Sequence, residues 1–348
     1  STTPLIKGSV SMETLTVSIY TDASCTVVAA SGTAEDFRTT GIQVTAAPNT
    51  STSYYAIAVD DKMVPSDCTF LTIFTHDAVA PGSPIFATIT PVSPSKTTLV
   101  PRIAGTASSD TQQVRLFSNA ACTTMIGSGT KAVFEGAGIP AGVQPNETTA
   151  IYAVALDAAG NLSACSQLTS FEHDTIPPDP PVFGVSIPAS PNNQSTTPLL
   201  QGTSDINAVN VRVYNDENCT SLIGSGSTTA VESPGIQVTV SGNTTTTLYA
   251  TSDDAAGNTS VCSALSNYAH STLPAPAPGF FQATPLSPTR ITNRPYIIGT
   301  AASTITKVTL YSDVACTGVL GSANRSFFVT SGVQATVAMN AQSAIYAI

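Results

Sequence analysis

VSIYTDASCT, at residues 17–26, recurs three times along the chain. The three copies are VRLFSNAACT, VRVYNDENCT and VTLYSDVACT, at residues 114–123, 211–220 and 308–317. Their cysteines are 97 residues apart at every step (122−25, 219−122 and 316−219). A fixed period of this length predicts a tandem array of one domain rather than a single large core.

Short strand patterns fill each period. SYYAIAVD (residues 53–60) is a nearly continuous apolar run, typical of a strand buried in a sandwich. VVAASGTAEDF (27–37) and GIQVTAA (41–47) predict further short strands, and SPIFATITP (83–91) supplies an opening strand that the first period lacks. No segment shows sustained helical periodicity. About seven strands per period predict an all-β fold of tandem immunoglobulin-like β-sandwiches.

The period also predicts where the domains begin and end. We expect four repeats, the first without its opening strand and the last without its C-terminal end, at residues 1–80, 81–177, 178–274 and 275–348. Proline-rich linkers separate them: DAVAPGSP, DTIPPDPP and STLPAPAP, at residues 77–84, 174–181 and 271–278. Proline stiffens a connection, so these segments predict semi-rigid spacers. Because both incomplete repeats contain the middle strands, we interpret the chain as a window on a longer array.

Seven cysteines fit the same period. Three of them follow the cysteine of the opening motif by 43 residues (68−25, 165−122 and 262−219). One disulfide per repeat is therefore predicted, with the partner of Cys316 beyond the chain end: Cys25–Cys68, Cys122–Cys165 and Cys219–Cys262. Spacing alone leaves the rival pairing of Cys68 with Cys122 open. A disulfide that closes a loop of this length contributes about 4 kcal/mol to the free energy of unfolding. Disulfides form in oxidising compartments, which predicts an extracellular or cell-surface location.

Composition excludes several partners. The net charge is −10, and Lys and Arg number 12 in 348 residues without clustering. Binding to nucleic acid or to an anionic membrane surface requires clustered basic residues, so we expect neither. No apolar run is long enough to span a bilayer, so we expect no membrane insertion in this part of the chain.

Polar and aromatic residues also recur with the period. His76, His173 and His270 occur once per repeat, too far apart to share a catalytic or metal centre, so we predict a packing role at strand ends and no enzyme activity. The alternative for these histidines is a transition-metal or Ca²⁺ role at the junctions. The aspartates and asparagine three residues before the motif cysteines predict turns. One tyrosine per apolar strand predicts core or corner positions, with an aromatic ligand platform as the alternative. These tyrosines are Tyr55, Tyr152, Tyr249 and Tyr346.

YAVALDAAGN (152–161), followed by a cysteine, a closing strand and an Asp-Thr-x-Pro-Pro linker, resembles the bacterial immunoglobulin-like tandem repeats of large surface proteins. The resemblance covers essentially the whole chain. The resemblance implies that the chain is part of the stalk of an adhesin. It also implies that Ca²⁺ binds near the domain junctions. Carried over by position, the calcium ligands would be Asp157, Asn161 and Asp174. The alternative is an Asx-Gly turn beside a solvated linker acid.

These observations predict a non-enzymatic extracellular structural array, either a stalk or a filament of a bacterial surface protein. Its partners would be neighbouring repeats of a longer chain and lateral copies in a fibre. The alternative is a binding array that recognises glycans or host proteins through its loops. A third class, an accessory module of an enzyme, would need a catalytic domain elsewhere. No cofactor other than Ca²⁺ is expected.

Overall fold

A computed structural model describes all 348 residues. Strands dominate, and each repeat also contains one short helix. The first repeat contains β1 (Leu5–Ile6), β2 (Thr14–Tyr20), β3 (Val28–Thr33), α1 (Ala34–Arg38), β4 (Ile42–Gln43), β5 (Ser51–Asp60) and β6 (Thr69–Thr75). The second contains β7 (Ile85–Thr90), β8 (Arg102–Thr106), β9 (Thr111–Phe117), β10 (Met125–Thr130), α2 (Lys131–Glu135), β11 (Ile139–Pro140), β12 (Thr148–Asp157) and β13 (Ser166–Glu172).

The remaining repeats follow the same order of elements. The third contains β14 (Val182–Ile187), β15 (Leu199–Thr203), β16 (Ala208–Tyr214), β17 (Leu222–Ser227), α3 (Thr228–Glu232), β18 (Ile236–Gln237), β19 (Thr244–Asp254) and β20 (Ser263–His270). The fourth contains β21 (Gly279–Thr284), β22 (Tyr296–Thr300), β23 (Lys307–Tyr311), β24 (Val319–Asn324), α4 (Arg325–Thr330), β25 (Val333–Gln334) and β26 (Tyr346–Ala347).

Two antiparallel sheets recur along the chain. One has four strands, in the orders β3-β2-β5-β6, β10-β9-β12-β13 and β17-β16-β19-β20. The other has three strands, in the orders β7-β8-β11, β14-β15-β18 and β21-β22-β25, and is reduced to β1-β4 in the first repeat. The predicted fold class of tandem immunoglobulin-like β-sandwiches is confirmed.

Packing divides the chain into two compact units. One comprises Ser1–Pro181, Ser204–Val211 and Thr251–Cys262, and the other comprises Val182–Thr203, Arg212–Ala250 and Ser263–Ile348. The division passes through β16 and β19 of the third repeat. The domain boundaries derived from the sequence period stay a prediction.

The short helix corrects one strand prediction. Residues 27–37 were expected to form a single strand, but β3 ends at Thr33 and α1 begins at Ala34. Thr33 and Asp36 form a capping box: the Thr33 hydroxyl accepts from the Asp36 N–H, and the Asp36 carboxylate accepts from the Thr33 N–H. Five residues are too few to show a helical period. No helix in the structure has the length and apolar composition that a membrane span requires.

In the first, second and fourth repeats, a phenylalanine of the short helix is buried against a periodic glycine. Phe134 is fully buried, and a Cβ on Gly105 would lie 2.5 Å from its ring and 2.0 Å from the Ile85 carbonyl oxygen. Close approach of strand and ring therefore requires a glycine here. The same contact recurs between Gly8 and Phe37.

The periodic tyrosines are not core residues. Tyr55 is half-buried and meets the Phe70 ring edge-on, with centroids 5.6 Å apart. Tyr54, one position earlier, is fully buried, and its hydroxyl donates to the Thr45 carbonyl oxygen at 3.1 Å. Successive strand residues point to opposite faces, so a shift of one residue separates the core position from the outer one.

Candidate functional site: the junctions between repeats

Disulfides link the opening motif of a repeat to the segment before its last strand. The bonds Cys25–Cys68 and Cys122–Cys165 join Cα atoms 5.9 and 6.0 Å apart. Cys219 and Cys262 are also disulfide-bonded, and Cys316 is free. One disulfide in each of the first three repeats is therefore confirmed. The rival bond between Cys68 and Cys122 does not form.

The turn before each motif cysteine is built by the periodic Asx side chain. The Asp22 carboxylate accepts the N–H groups of Thr26 and Val27, at 3.0 and 2.7 Å. The hydrogen bond from Val27 is the main cause that lowers the pKa of Asp22 below its ordinary value of 3.8. Cys25 has φ 51°, and the unbonded Cys316 has φ 52°. The Asx turn, not the disulfide, therefore accompanies this left-handed conformation.

The periodic histidines stabilise a second turn. The Nδ1 atom of His76 accepts the Asn49 N–H at 3.1 Å. The same bond joins His173 to Asn146 at 3.1 Å and His270 to Asn243 at 3.2 Å. Each of these asparagines has a positive φ, between 54° and 57°. The role of the histidines is thus to hold a left-handed asparagine beside the last strand of the repeat.

Each of these asparagines also bonds the linker that follows its repeat. The Asn49 Oδ1 atom accepts the Ala78 N–H at 2.8 Å. Asn146 Oδ1 accepts both the N–H and the hydroxyl of Thr175 at 2.8 Å. Asn243 bonds Thr272 in the same way. Each linker is therefore held at its start by the repeat that precedes it.

A different asparagine holds the linker from the following repeat. Asn161 Nδ2 donates to the carbonyl oxygens of Asp77 and Val79, both at 3.3 Å. Asn258, 97 residues later, donates to the Asp174 carbonyl oxygen at 3.0 Å. We call this arrangement the linker clamp: Asn49 and Asn161 at the first junction, and Asn146 and Asn258 at the second.

Further contacts extend the clamp along the linker. The Gly82 N–H donates to the Ser108 hydroxyl at 3.1 Å. The matching residue of the next linker, Asp179, donates its N–H to the Asp205 carboxylate at 3.1 Å. Pro81 is buried, as is Pro178 at the same position of the second linker. Each linker thus lies along a surface of the repeat that follows it.

The predicted calcium ligands make hydrogen bonds at two different junctions. Asp157 and Asn161 are in contact, since the Asp157 carboxylate accepts the Asn161 N–H and Nδ2, both at 2.8 Å. Asp174 instead bonds Asn258 through its carbonyl oxygen and the Ile176 N–H through its carboxylate. The loop that contains Asn161 therefore bonds the linker before its repeat, and Asp174 bonds the loop of the repeat that follows.

Burial raises the pKa of Asp157, but the hydrogen bonds from Asn161 outweigh this effect and leave the pKa below 3.8. The carboxylate thus already has its donors. No group of three or more His, Cys, Asp or Glu side chains is placed to hold a metal ion in the 348 residues described. Calcium binding stays a prediction.

Sequence reasoning missed the asparagines that bond the linker following their own repeat. Asn49, Asn146 and Asn243 recur at the 97-residue period, and that recurrence is the signal that could have found them.

No protein-family model matches the chain, and no curated protein matches its sequence. Among solved structures, the chain is similar to the fibronectin(III)-like modules of Clostridium thermocellum CbhA, at 17% identity over 53% of this chain and 94% of that one, with a TM-score of 0.31. The chicken CNTN1 FN1-FN3 domains match at 11% identity over 74% and 90%, with a TM-score of 0.32. The BSP domain of a biofilm-associated protein matches at 12% identity over 64% and 43%, with a TM-score of 0.20. Similarities at this level carry no argument about function.

Proposed function

We propose that the chain is a non-enzymatic extracellular structural array, part of a stalk or filament of a bacterial surface protein. The observation that carries this proposal is the linker clamp. The linker clamp is present at the first and second junctions. At each of them, one asparagine of the preceding repeat and one of the following repeat bond the same linker. A spacer needs ordered connections, and hydrogen bonds on both sides of a proline-rich linker supply them.

The linker clamp also explains how load would pass between repeats. The connection from β6 to β7 runs from His76 to Pro84, and its backbone is tied at Asp77, Ala78 and Val79. Tension must break these bonds before the linker straightens. The segment between Cys25 and Cys68 is closed by the disulfide, so tension cannot extend it.

Two further observations support an extracellular location and a role without catalysis. Three disulfides indicate an oxidising compartment. The periodic histidines are each committed to an asparagine N–H, and the turn aspartates to backbone donors. We also propose neighbouring repeats of a longer chain and lateral copies as the partners.

A binding array is the second candidate, favoured by an apolar surface on the fourth repeat. Phe280, Phe281 and Leu286 are 72%, 69% and 75% exposed, and Tyr296 on the neighbouring strand is 44% exposed. Exposed aromatic groups of this kind are typical of contact surfaces. Replacing Phe280 and Phe281 by serine would abolish binding to a ligand if this surface recognises one, and would leave array formation unchanged.

Electron microscopy of native material tests the main proposal. Beaded fibres with a repeat on the order of 35 to 45 Å, set by strands of about ten residues plus a linker, are the expected result. Isolated particles of four beads, with no longer form, would refute the structural array and favour the binding module. Adding a calcium chelator to the same preparation tests the calcium prediction. If calcium is bound at the junctions, its removal should make the fibres more flexible.

Spin-label distance measurements test the linker clamp itself. With one label on each of the first two repeats, Asn161→Ala should broaden the distance distribution across the first junction. Asn119→Ala is the matched control, since Asn119 bonds only within its own turn, to Thr123 and Thr124. An unchanged distribution for Asn161→Ala would show that the clamp does not order the junction.

A further inference from the structure

All three histidines of the chain accept a hydrogen bond at the same ring nitrogen. His76 Nδ1 accepts the Asn49 N–H at 3.1 Å, His270 Nδ1 accepts the Asn243 N–H at 3.2 Å, and the remaining histidine makes the same bond in the second repeat. A ring nitrogen accepts a hydrogen bond only while it carries no proton, so each bond requires a neutral imidazole. Histidine is the side chain whose charge ordinarily changes between about pH 5 and pH 8. A proton can therefore break these bonds.

Protonation of His76 would place two donors against each other. The Asn49 N–H and the new Nδ1–H would meet across the 3.1 Å that now separates donor from acceptor. The turn would keep a second bond to the same histidine, because the His76 N–H donates to the Thr50 carbonyl oxygen at 3.0 Å. Loss of one bond of the two should loosen the turn and leave the sandwich folded.

The loosened turn contains the residue that bonds the linker. Asn49 Oδ1 accepts the Ala78 N–H at 2.8 Å, and Asn243 Oδ1 accepts the Thr272 N–H at 2.7 Å. The backbone N–H of the same asparagine is the group that donates to the histidine. One residue thus connects the histidine to the linker, and its movement would weaken the hydrogen bond to the linker.

No charged side chain lies on the segments that bond or pair with His270. These segments are residue 192 and residues 242–244, and β20, which His270 ends, also carries no charged residue besides the histidine itself. The other titratable group of β20 is Tyr268, whose hydroxyl donates to the Ser195 carbonyl oxygen at 2.9 Å. The Asn243 N–H is therefore the polar group that decides which form of His270 fits the turn.

Two acids lie on the elements around His76. The Asp77 carboxylate accepts the Val79 N–H at 2.9 Å. The Asp157 carboxylate, in the loop of the following repeat, accepts the Asn161 N–H at 2.8 Å. The turn at residues 47–50 and β6 carry no charged side chain. Both carboxylates thus already have donors, and Nδ1 of the histidine faces a backbone N–H.

We propose that the first and third junctions are proton-sensitive, ordered while His76 and His270 are neutral and loosened when these histidines take up a proton. The second junction differs, because its histidine adjoins Asp174, a predicted calcium ligand. The array would be stiff in neutral surroundings and flexible in acid ones. This inference rests on the proposed ordering of the junctions by the linker clamp.

Spin-label distance measurements across the first junction, made at two pH values, test the inference on the full chain. The labels are carried by non-natural residues on the first two repeats, because the free Cys316 would react with a thiol label. In the native chain the distance distribution should be about twice as wide at about pH 4.5 as at about pH 7.5. It should narrow again when the sample is returned to neutral pH.

Three variants identify the group that responds. His76→Asn keeps an acceptor, since a side-chain amide oxygen can accept the Asn49 N–H and does not titrate, so its distribution should stay narrow at both pH values. His76→Ala has no acceptor, and its distribution should be broad at both. His270→Asn is the matched control, because it changes the third junction and should leave the response of the first unchanged.

Two results would overturn the proposal. One is a native distribution that stays narrow at the lower pH. The other is equal broadening in the native and His76→Asn chains, which would show that another group responds to acid. Asn161→Ala separates this inference from the linker clamp. If it broadens the distribution at neutral pH while acid leaves the native chain unchanged, the clamp orders the junction and His76 does not control it.

Discussion

Stretching the full chain by its ends tests the disulfides as mechanical stops. A repeat of 97 residues has a contour length of about 340 Å when fully extended. With the bond Cys122–Cys165 of the second repeat intact, the 43 intervening residue steps cannot extend, so 54 steps (97−43) remain. These correspond to about 190 Å. The folded repeat already spans about 40 Å, which is subtracted from both lengths. Under oxidising conditions the complete repeats should therefore unfold in increments of about 150 Å, which lengthen towards about 300 Å on reduction.

Single-molecule force spectroscopy measures these increments directly. Cys122→Ser with Cys165→Ser is the internal control, since it should lengthen the increment of the second repeat in an oxidised molecule and leave that of the third repeat short. Long increments in the oxidised native chain, or increments that do not change on reduction, would refute the claim that the disulfides limit extension. An increment pattern that is short but unchanged in the double variant would refute the assignment of this disulfide to the second repeat.

Three further predictions concern stability. Phe134→Ala should lower the free energy of unfolding of the second repeat by about 3 to 5 kcal/mol in urea denaturation, because the ring is fully buried. Gly105→Ala should also destabilise, by about 1 to 3 kcal/mol, because its Cβ meets the Phe134 ring and a carbonyl oxygen; a stabilised variant would contradict the close approach. The low pKa of Asp22, caused mainly by the Val27 N–H, stabilises the fold above the unfolded pKa, and this contribution is lost as pH falls through the folded pKa. A ¹³C NMR titration should give a midpoint below 3.8, and Asp22→Asn should remove this acid dependence, since Asn119 makes the same turn without a charge.

The fold was predictable because the period repeats its strongest signals. Alternation in β2 and the apolar run of β5 predicted strands that the structure contains, and the fixed cysteine spacing predicted one disulfide per repeat. The helices were missed because five or six residues show no period. The sequence signal for the first helix is its N-terminal cap, since Thr33 and Asp36 form a capping box. The predicted strand included both residues. The core tyrosine of β5 was predicted at Tyr55 and lies at Tyr54, because the sequence of β5 is apolar on both faces.

The site was harder to predict than the fold, and the reason is geometric. The period shows that Asp157, Asn161 and Asp174 belong to one repeat, but it does not show which linker a loop meets. Loops at one end of a sandwich face the repeat before it, whereas the linker that leaves the last strand lies at the other end. Asn161 therefore meets Asp77, 84 residues earlier, and Asp174 meets Asn258, 84 residues later. The same separation at both junctions makes the pairing a property of the array. It follows that the linker contacts of a loop are made with the segment before its repeat, which no pattern within one repeat shows.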